Sequence, residues 1–399
     1  MSRPGPMAQA AAAAQACAQC GACQAVCPLY RATRQEEVSA RGKLRLIGAL
    51  SKGLLSPGRD LAKALDVCLL CGRCSQKCPN QTPATQAQRA AREVLAPLAG
   101  RLSAQALFVD DVLADKTRLE ALAKAGRWLW PADAGLNLRL PGLEGLEKLP
   151  RPAARFFLQD APKIIHGPKG RPTVAFFVGC LANYLRPELA RQVVTLLARR
   201  FTVVIPPDQG CCGLMAHGAG HAAAARALAQ AGMRAFAGAD LVVTACASCA
   251  HAIASAWPEL LDGPAAEQAQ ALAGRVAEVS GVLAEAGGVS AADPGRVAAL
   301  HVPCHQSVGL ADGPSPGRLL AAAGVELAAM DGHDQCCGGG GLFSLRRPDL
   351  SRAVFAPRRQ ALADSGARVL ATSCSGCFVQ WRRGLPAEVA VLHPVELLR

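Results

Sequence analysis

A phrase of five cysteines occurs twice between residue 180 and residue 377 of this 399-residue chain, and few folds can absorb it. The first copy is Cys180, then Cys211-Cys212-Gly213, then Cys246-Ala247-Ser248-Cys249. The second is Cys304, then Cys336-Cys337-Gly338, then Cys374-Ser375-Gly376-Cys377. The first gap is 31 positions in one copy and 32 in the other; the second is 34 and 37. Five thiols repeated at matched spacing mark an internal duplication, each copy presenting five thiolates to one metal centre.

The first hundred residues carry a different cysteine pattern, also twice. Cys17-Ala18-Gln19-Cys20-Gly21-Ala22-Cys23 is followed by Cys27-Pro28, and Cys68-Leu69-Leu70-Cys71-Gly72-Arg73-Cys74 by Cys78-Pro79. Both are the Cys-x2-Cys-x2-Cys-x3-Cys-Pro run of cubane iron–sulfur proteins, in which the fourth thiol ligates the other cluster. Three thiols two residues apart wrap one corner of a cube, and Gly21 or Gly72 lets the backbone approach the sulfides. The expected ligand sets are therefore Cys17, Cys20, Cys23 and Cys78 for one [4Fe–4S] cluster, and Cys68, Cys71, Cys74 and Cys27 for the second. Tetrahedral zinc would need two Cys-x-x-Cys pairs and leaves the third spaced thiol and the Pro without a purpose. The apolar spacing of Ser39 to Leu50 predicts a helix between the runs, with Arg41, Lys43 and Arg45 on a solvated face.

Eighteen cysteines would also suit a secreted disulfide framework. The chain is long for one, its spacings are those of metal ligands, and Met7 to Ala16 lacks the apolar run of a signal peptide. No stretch reaches the roughly 18 to 20 apolar residues of a membrane-spanning helix. The expectation is a reduced, cytoplasmic metalloprotein, peripheral at most to the inner membrane face. The formal charge of +13 does not imply nucleic acid, because the Arg residues are scattered and aromatic residues make up 4%. It suits an acidic partner or an anionic membrane surface.

Asp110 to Trp130 reads as an amphipathic helix with Leu113, Leu119, Leu122, Leu129 and Trp130 toward the core, and Trp128 also packed. Pro131 to Pro172 reads as an extended connector. Each five-thiol unit then alternates strand and helix. The first has strands at Thr173–Val178, Thr202–Ile205 and Asp240–Thr244, with helices at Glu188–Arg200 and His221–Ala237. The second has strands at Arg296–His301, Val325–Met330 and Arg368–Thr372, with helices at Gly317–Ala323 and Leu350–Ser365. That order implies parallel sheets with right-handed crossovers and sites beyond the strands' carboxyl ends, where Cys180, Cys246, Cys304 and Cys374 fall.

On these residues the five-thiol phrase resembles the CCG domain of the heterodisulfide reductases. Two such domains behind a twin-cluster ferredoxin module look like the iron–sulfur subunit of glycolate oxidase and related lactate dehydrogenases. The iron–sulfur chain of anaerobic glycerol-3-phosphate dehydrogenase shares the layout. The Arg41-Gly42-Lys43 helix and the ending Leu392-His393-Pro394-Val395-Glu396-Leu397-Leu398 are similar to the glycolate oxidase type. The resemblance implies a multidomain α + α/β chain: an α-helical ferredoxin-like domain (1–100), a connector (101–170) and two Rossmann-like α/β CCG domains (171–290 and 291–399). It further implies that Cys180, Cys211, Cys212, Cys246 and Cys249 can hold one non-cubane [4Fe–4S] assembly. Cys304, Cys336, Cys337, Cys374 and Cys377 can hold another.

The remaining candidates are weaker. His217 and His221, four apart, lack a third ligand and suit surface or capping roles. His305 could tune a cluster or donate a hydrogen bond near one. Gly338 to Gly341 lacks the ending of a phosphate loop and suits backbone passing close to sulfides. No Rossmann Gly-x-Gly-x-x-Gly follows an early strand, so a flavin for hydride chemistry is expected on a partner chain. The expected function is an electron-transfer subunit that takes electrons from a FAD-containing 2-hydroxy acid dehydrogenase subunit and passes them to a quinone-level or redox-protein acceptor. The alternative is a heterodisulfide-reductase-like catalyst that cleaves a small disulfide.

Overall fold

Alanine-rich segments build the first domain. The computed structural model describes residues 4–99, 107–128, 145–310 and 312–399. Helices Pro6–Gln15, Ala40–Ser51 and Ala84–Leu95 pack through Ala10, Ala13, Leu44, Ile47, Ala91 and Leu95. Small side chains let these helices approach closely, which holds the two cysteine runs side by side. Ser39 caps the second helix by accepting from the Gly42 N–H at 3.2 Å. A Cβ on Gly42 would lie 2.3 Å from the Glu36 carbonyl oxygen, so only glycine fits this crossing.

The charges on that helix depart from expectation. Only Arg45 is exposed; Arg41 is half-buried and pairs with Glu36 at 2.6 Å. Lys43 is 1% exposed, its Nζ donating to the carbonyls of Glu37 at 2.8 Å and Ala64 at 3.4 Å. Its face of the helix lies against the following segment and the second cysteine run, so the long stem is covered and the ammonium is satisfied by main chain.

The segment expected as one helix over 110–130 divides. Phe108–Leu113 is wound as a π-helix and Lys116–Trp128 as an α-helix. Leu113 is buried beside Cys211 and Leu228, and Leu119 is half-buried against them. Leu122 is 47% exposed and Trp128 84% exposed, contrary to the core roles expected of them. Beyond Leu113 the helix lies on the surface and buries only part of one face. Leu129 and Trp130 lie outside the described residues. The expected extended connector is also partly structured, with a short helix at Phe157–Asp160 and a strand, β1, at Ile164–Ile165.

The two five-thiol regions each form a parallel sheet. The strands are β2 (Thr173–Phe177), β3 (Thr202–Val204), β4 (Val242–Thr244), β5 (Val276–Glu278), β6 (Val297–His301), β7 (Glu326–Ala328), β8 (Val369–Thr372) and β9 (Ala390–Leu392). The first sheet runs β1-β3-β2-β4-β5 with only β1 antiparallel, and the second β7-β6-β8-β9. β5 and β9 were not expected; both are three-residue edge strands whose short apolar runs resemble loop. The registers match: Phe177 pairs with Thr244 as His301 pairs with Thr372. Buried residues of both units form one continuous core that includes Trp257, Cys246, Cys374 and Trp381. The molecule is thus a multidomain α + α/β protein, a helical ferredoxin-like domain followed by two Rossmann-like α/β units.

Candidate metal centres

The first cysteine run curls because its backbone enters left-handed space at matched points. Gly21 and Gly72 have φ of +84° and +77°, and Gln19 and Leu70, each just before the second cysteine of its run, have φ of +60° and +53°. Non-glycine residues accept that conformation only where the surroundings impose it. The outcome is two solvent-open hollows. One is lined by Cys17, Cys20, Cys23 and Cys78; the other by Cys27, Cys68, Cys71 and Cys74. Each hollow thus takes three sulfurs from one run and the fourth from the other. Cys74 lines both.

The electrostatics of the two hollows differ. Burial pushes the Cys74 thiol up to about 12, with Cys68 and Cys27 adding repulsion. At Cys78 burial opposes ionisation, yet hydrogen bonds from Thr82 and neighbouring main chain hold it below the usual thiol range. Burial likewise pushes Lys43 down to about 8, while nearby Cys68 and Cys27 work to keep it charged. Lys43 lines the second hollow and brings a cation beside its sulfurs, a feature the helical pattern of Ser39 to Leu50 did not reveal.

The five-thiol sets gather at the carboxyl ends of the strands, as the topology requires. In the first unit Cys180 contacts Cys211, which contacts Cys212, which contacts Cys249, which contacts Cys246. Hydrogen bonds from Cys211 and Cys249 bring Cys212 down to about 6. In the second unit Cys304 contacts Cys336, Cys337 contacts Cys377, and Cys377 contacts Cys374. The Cys304 bond and the Gly338 N–H, 3.4 Å away, hold Cys336 below the usual thiol range. None of the eighteen sulfurs is in a disulfide. So many converging soft donors, with polar N–H groups aimed at several, fit iron–sulfur or similar thiolate-bound metal and little else.

The four sets also lie within electrostatic reach of one another. Cys74 feels Cys23 of the first hollow, and Cys71 of the second feels Cys336. Cys246 is hydrogen-bonded to Cys374, joining the two five-thiol sets. Ala247 N–H donates to the Ser373 carbonyl at 2.7 Å, and Ser375 N–H lies 3.4 Å from Cys246 Sγ. The spatial order is first hollow, second hollow, second five-thiol set, first five-thiol set. The chain order of the last two is reversed in space.

The glycine run serves this joint. Gly340 has φ +55°, and a Cβ there would come within 2.7 Å of Leu69 Cδ2, so bare backbone lets the second unit meet the first domain. Arg73 and Asp334 pair across the same junction at 3.0 Å, and Arg346 and Asp66 at 2.5 Å. His305 lies there as well: a ring nitrogen bonds to the Leu70 carbonyl, and Nδ1 is 2.8 Å from Ser248 Oγ, itself 3.0 Å from Cys374 Sγ. Burial pushes His305 down to about 3 and its stacked neighbour His251 to about 4. The expectation for His217 and His221 needs correction. His217 is buried at the seam between the first domain and the first unit, not on the surface. His221 occupies the cap position of helix Ala222–Ala235 without a capping bond and lies 2.9 Å from Asp110.

Comparison with known proteins agrees with this architecture. A 4Fe-4S dicluster domain model matches residues 13–82, and a cysteine-rich domain model matches 174–254 and again 298–382. A probable glycolate oxidase iron-sulfur subunit of Bacillus subtilis is 26% identical over 96% of this chain and 92% of its own length. Lactate utilization protein A of Geobacillus thermodenitrificans is 32% identical over 56% of this chain and 98% of its own length. The protein of that name from Bacillus velezensis is 31% identical over the same shares. A dicluster domain implies two [4Fe–4S] clusters. In domain order, cysteine pattern and sequence, this chain belongs to the glycolate oxidase and lactate-utilization family of iron–sulfur subunits.

Proposed function

We propose that this chain is the electron-transfer subunit of a flavin-dependent 2-hydroxy acid dehydrogenase of the glycolate oxidase or D-lactate dehydrogenase type. It receives electrons from a FAD-containing partner subunit and passes them toward a quinone-level or redox-protein acceptor. The observation that carries this reading is the unbroken row of four sulfur sets, from exposed Cys20 to Cys180.

Iron–sulfur clusters held in these sets supply one-electron carriers. Cys17, Cys20, Cys23 and Cys78 hold one cubane, and Cys27, Cys68, Cys71 and Cys74 the other. Cys180, Cys211, Cys212, Cys246 and Cys249, and Cys304, Cys336, Cys337, Cys374 and Cys377, hold the two further centres. The polypeptide itself sets their order, buries every five-thiol cysteine except the half-buried Cys180 and Cys304, and places Lys43 as a counter-charge beside the second hollow. The working units are residues 1–100, 101–170, 171–290 and 291–399. The B. subtilis relative is named as one subunit of an oxidase, which supports a partner that carries the hydride chemistry.

Among the described residues no helix is long and apolar enough to cross a membrane. The charge of +13 suits docking to an acidic partner or a peripheral contact with the inner membrane face. The relay is favoured over disulfide cleavage because Cys246 and Cys374, where the two five-thiol sets meet, are only 3% and 4% exposed. In the purified complex, Cys68→Ser is expected to lower hydroxy acid-to-quinone electron flow by roughly 100-fold. Reduction of the partner's flavin by the hydroxy acid should stay at its wild-type rate. Undiminished flow to quinone overturns the relay.

A further inference from the structure

The two five-thiol units are copies, yet one strand-end residue differs in kind. β2 ends in Phe177 and β6 in His301, each three residues before the first cysteine of its set and each paired with a threonine on the next strand. Phe177 packs against Phe236 and Trp257. Beside it Thr244 Oγ1 is buried with no hydrogen-bond partner among the described residues. His301 is fully buried, and its ring can offer a nitrogen that lies, with Cys337 Sγ and Cys377 Sγ, in a group of three donors within 4.8 Å of one another.

The ring's hydrogen bonds fix which nitrogen bears the proton and which the lone pair. Nε2 lies 3.1 Å from the Gln335 carbonyl, which only accepts, so Nε2 carries the proton. Nδ1 then carries the lone pair, which accepts from Thr372 Oγ1 at 3.0 Å; rotation of that hydroxyl about its C–O bond releases the lone pair to a metal. A ring N–H donated to a backbone carbonyl is the arrangement that orients metal-ligating histidines. Gln335 directly precedes the Cys336-Cys337 doublet, so the loop that brings the thiols also sets the tautomer.

We infer that the second unit binds its metal through imidazole as well as thiolate, His301 Nδ1 joining Cys337 and Cys377, whereas the first unit is thiolate-only. The donor set suits a borderline-soft metal, either iron in a cluster or a single zinc ion. This rests on the proposal that the five-thiol sets bind metal, and it makes the two centres chemically unequal.

The test uses full-length protein prepared anaerobically with 15N-histidine, in wild-type form and as His301→Phe, His301→Gln, Phe177→His and Cys337→Ser. Metal lost in Cys337→Ser identifies the share held by the second site. For iron, pulsed EPR of the reduced protein is expected to show a directly bound histidine nitrogen, absent in His301→Phe and His301→Gln. For zinc, absorption at the zinc edge is expected to show one nitrogen scatterer that the same variants lose. Release of that metal to a chelator should be at least roughly tenfold faster in both variants. Phe177→His is expected to add a second nitrogen-coupled centre, a gain that misfolding cannot mimic. Metal in the second site with no histidine nitrogen, or a nitrogen signal that survives in His301→Gln, overturns the inference, as does a second site holding no metal. Wild-type protein devoid of iron sinks the relay proposal, whatever His301 does.

Discussion

The first and second five-thiol units share strand order, register and cysteine spacing, but they occupy different places. The second lies against the ferredoxin-like domain, with Cys71 beside Cys336 and Leu69 pressed on Gly340. The first also meets that domain, with Arg92 donating to the Gly218 carbonyl and Arg89 paired with Glu259, but its sulfurs reach the row through Cys246 and Cys374. Their differences follow from that placement. Where the first unit has Leu214-Met215-Ala216 after its doublet, the second has Gly339-Gly340-Gly341, bare backbone for a close neighbour. Duplication supplies two equal frames, and meeting a third domain through different parts of each makes them unequal.

The largest expected effect separates a middle position from an end. Cys336→Ser should disturb the magnetic signals of both the second ferredoxin-like centre and the first five-thiol centre, and lower electron flow through the protein by roughly 100-fold. Cys180→Ser should leave both ferredoxin-like signals as in wild type. If Cys180→Ser disturbs the ferredoxin-like centres while Cys336→Ser does not, the spatial order is wrong.

Next in size is the joint itself. Gly340→Ala places a methyl on a left-handed residue against Leu69 and should cost about 1–3 kcal/mol in denaturant melts, with faster proteolysis between the first domain and the second unit. Met215, its counterpart in the first unit, should tolerate Ala without loosening that junction. Equal protease sensitivity of the two variants removes the asymmetry.

A smaller contrast lies in the buried tryptophans. Trp257 Nε1 donates to the Cys212 carbonyl at 2.9 Å, whereas Trp381 Nε1 finds no partner among the described residues. Trp257→Phe should therefore destabilise by about 1 kcal/mol more than Trp381→Phe, because it leaves a buried carbonyl unpaired.

The smallest effect is the most diagnostic, because its sign changes between the copies. In metal-free protein, Thr244→Val removes a buried hydroxyl that has no partner among the described residues and should stabilise by about 1 kcal/mol, while Thr372→Val strips the hydrogen bond to His301 and should destabilise by about as much. The same sign for both, read from melting midpoints, would mean that His301 and Phe177 place no different demand on their strands.

Much of this is legible without coordinates. The Cys-x2-Cys-x2-Cys-x3-Cys-Pro runs point to two cubanes because thiol spacing follows the shape of the inorganic cube, and the structure groups their sulfurs three and one. The alternation of strand and helix around the five-thiol phrases predicts parallel sheets, since hydrophobic period reports local backbone form directly. Trp128, Leu122 and Lys43 escape such reading for a common reason. Burial depends on what covers a face, and an apolar stripe or a charge on a helix does not name its neighbour. β5 and β9 escape because three-residue edge strands carry too little period to stand out from loop. His301 escapes because a lone histidine at a strand end has no visible partner until Cys337 and Cys377 come round to it.

By itself the sequence determined the chemistry of the donors, their grouping into four sets and the local elements that carry them, all properties of residues close along the chain. Only the tertiary structure decided the order of the sets, the burial of Lys43 and the pairing of His301 with the second set. Those depend on domain faces that meet across hundreds of residues, through side-chain shape and a few glycines that leave room for contact.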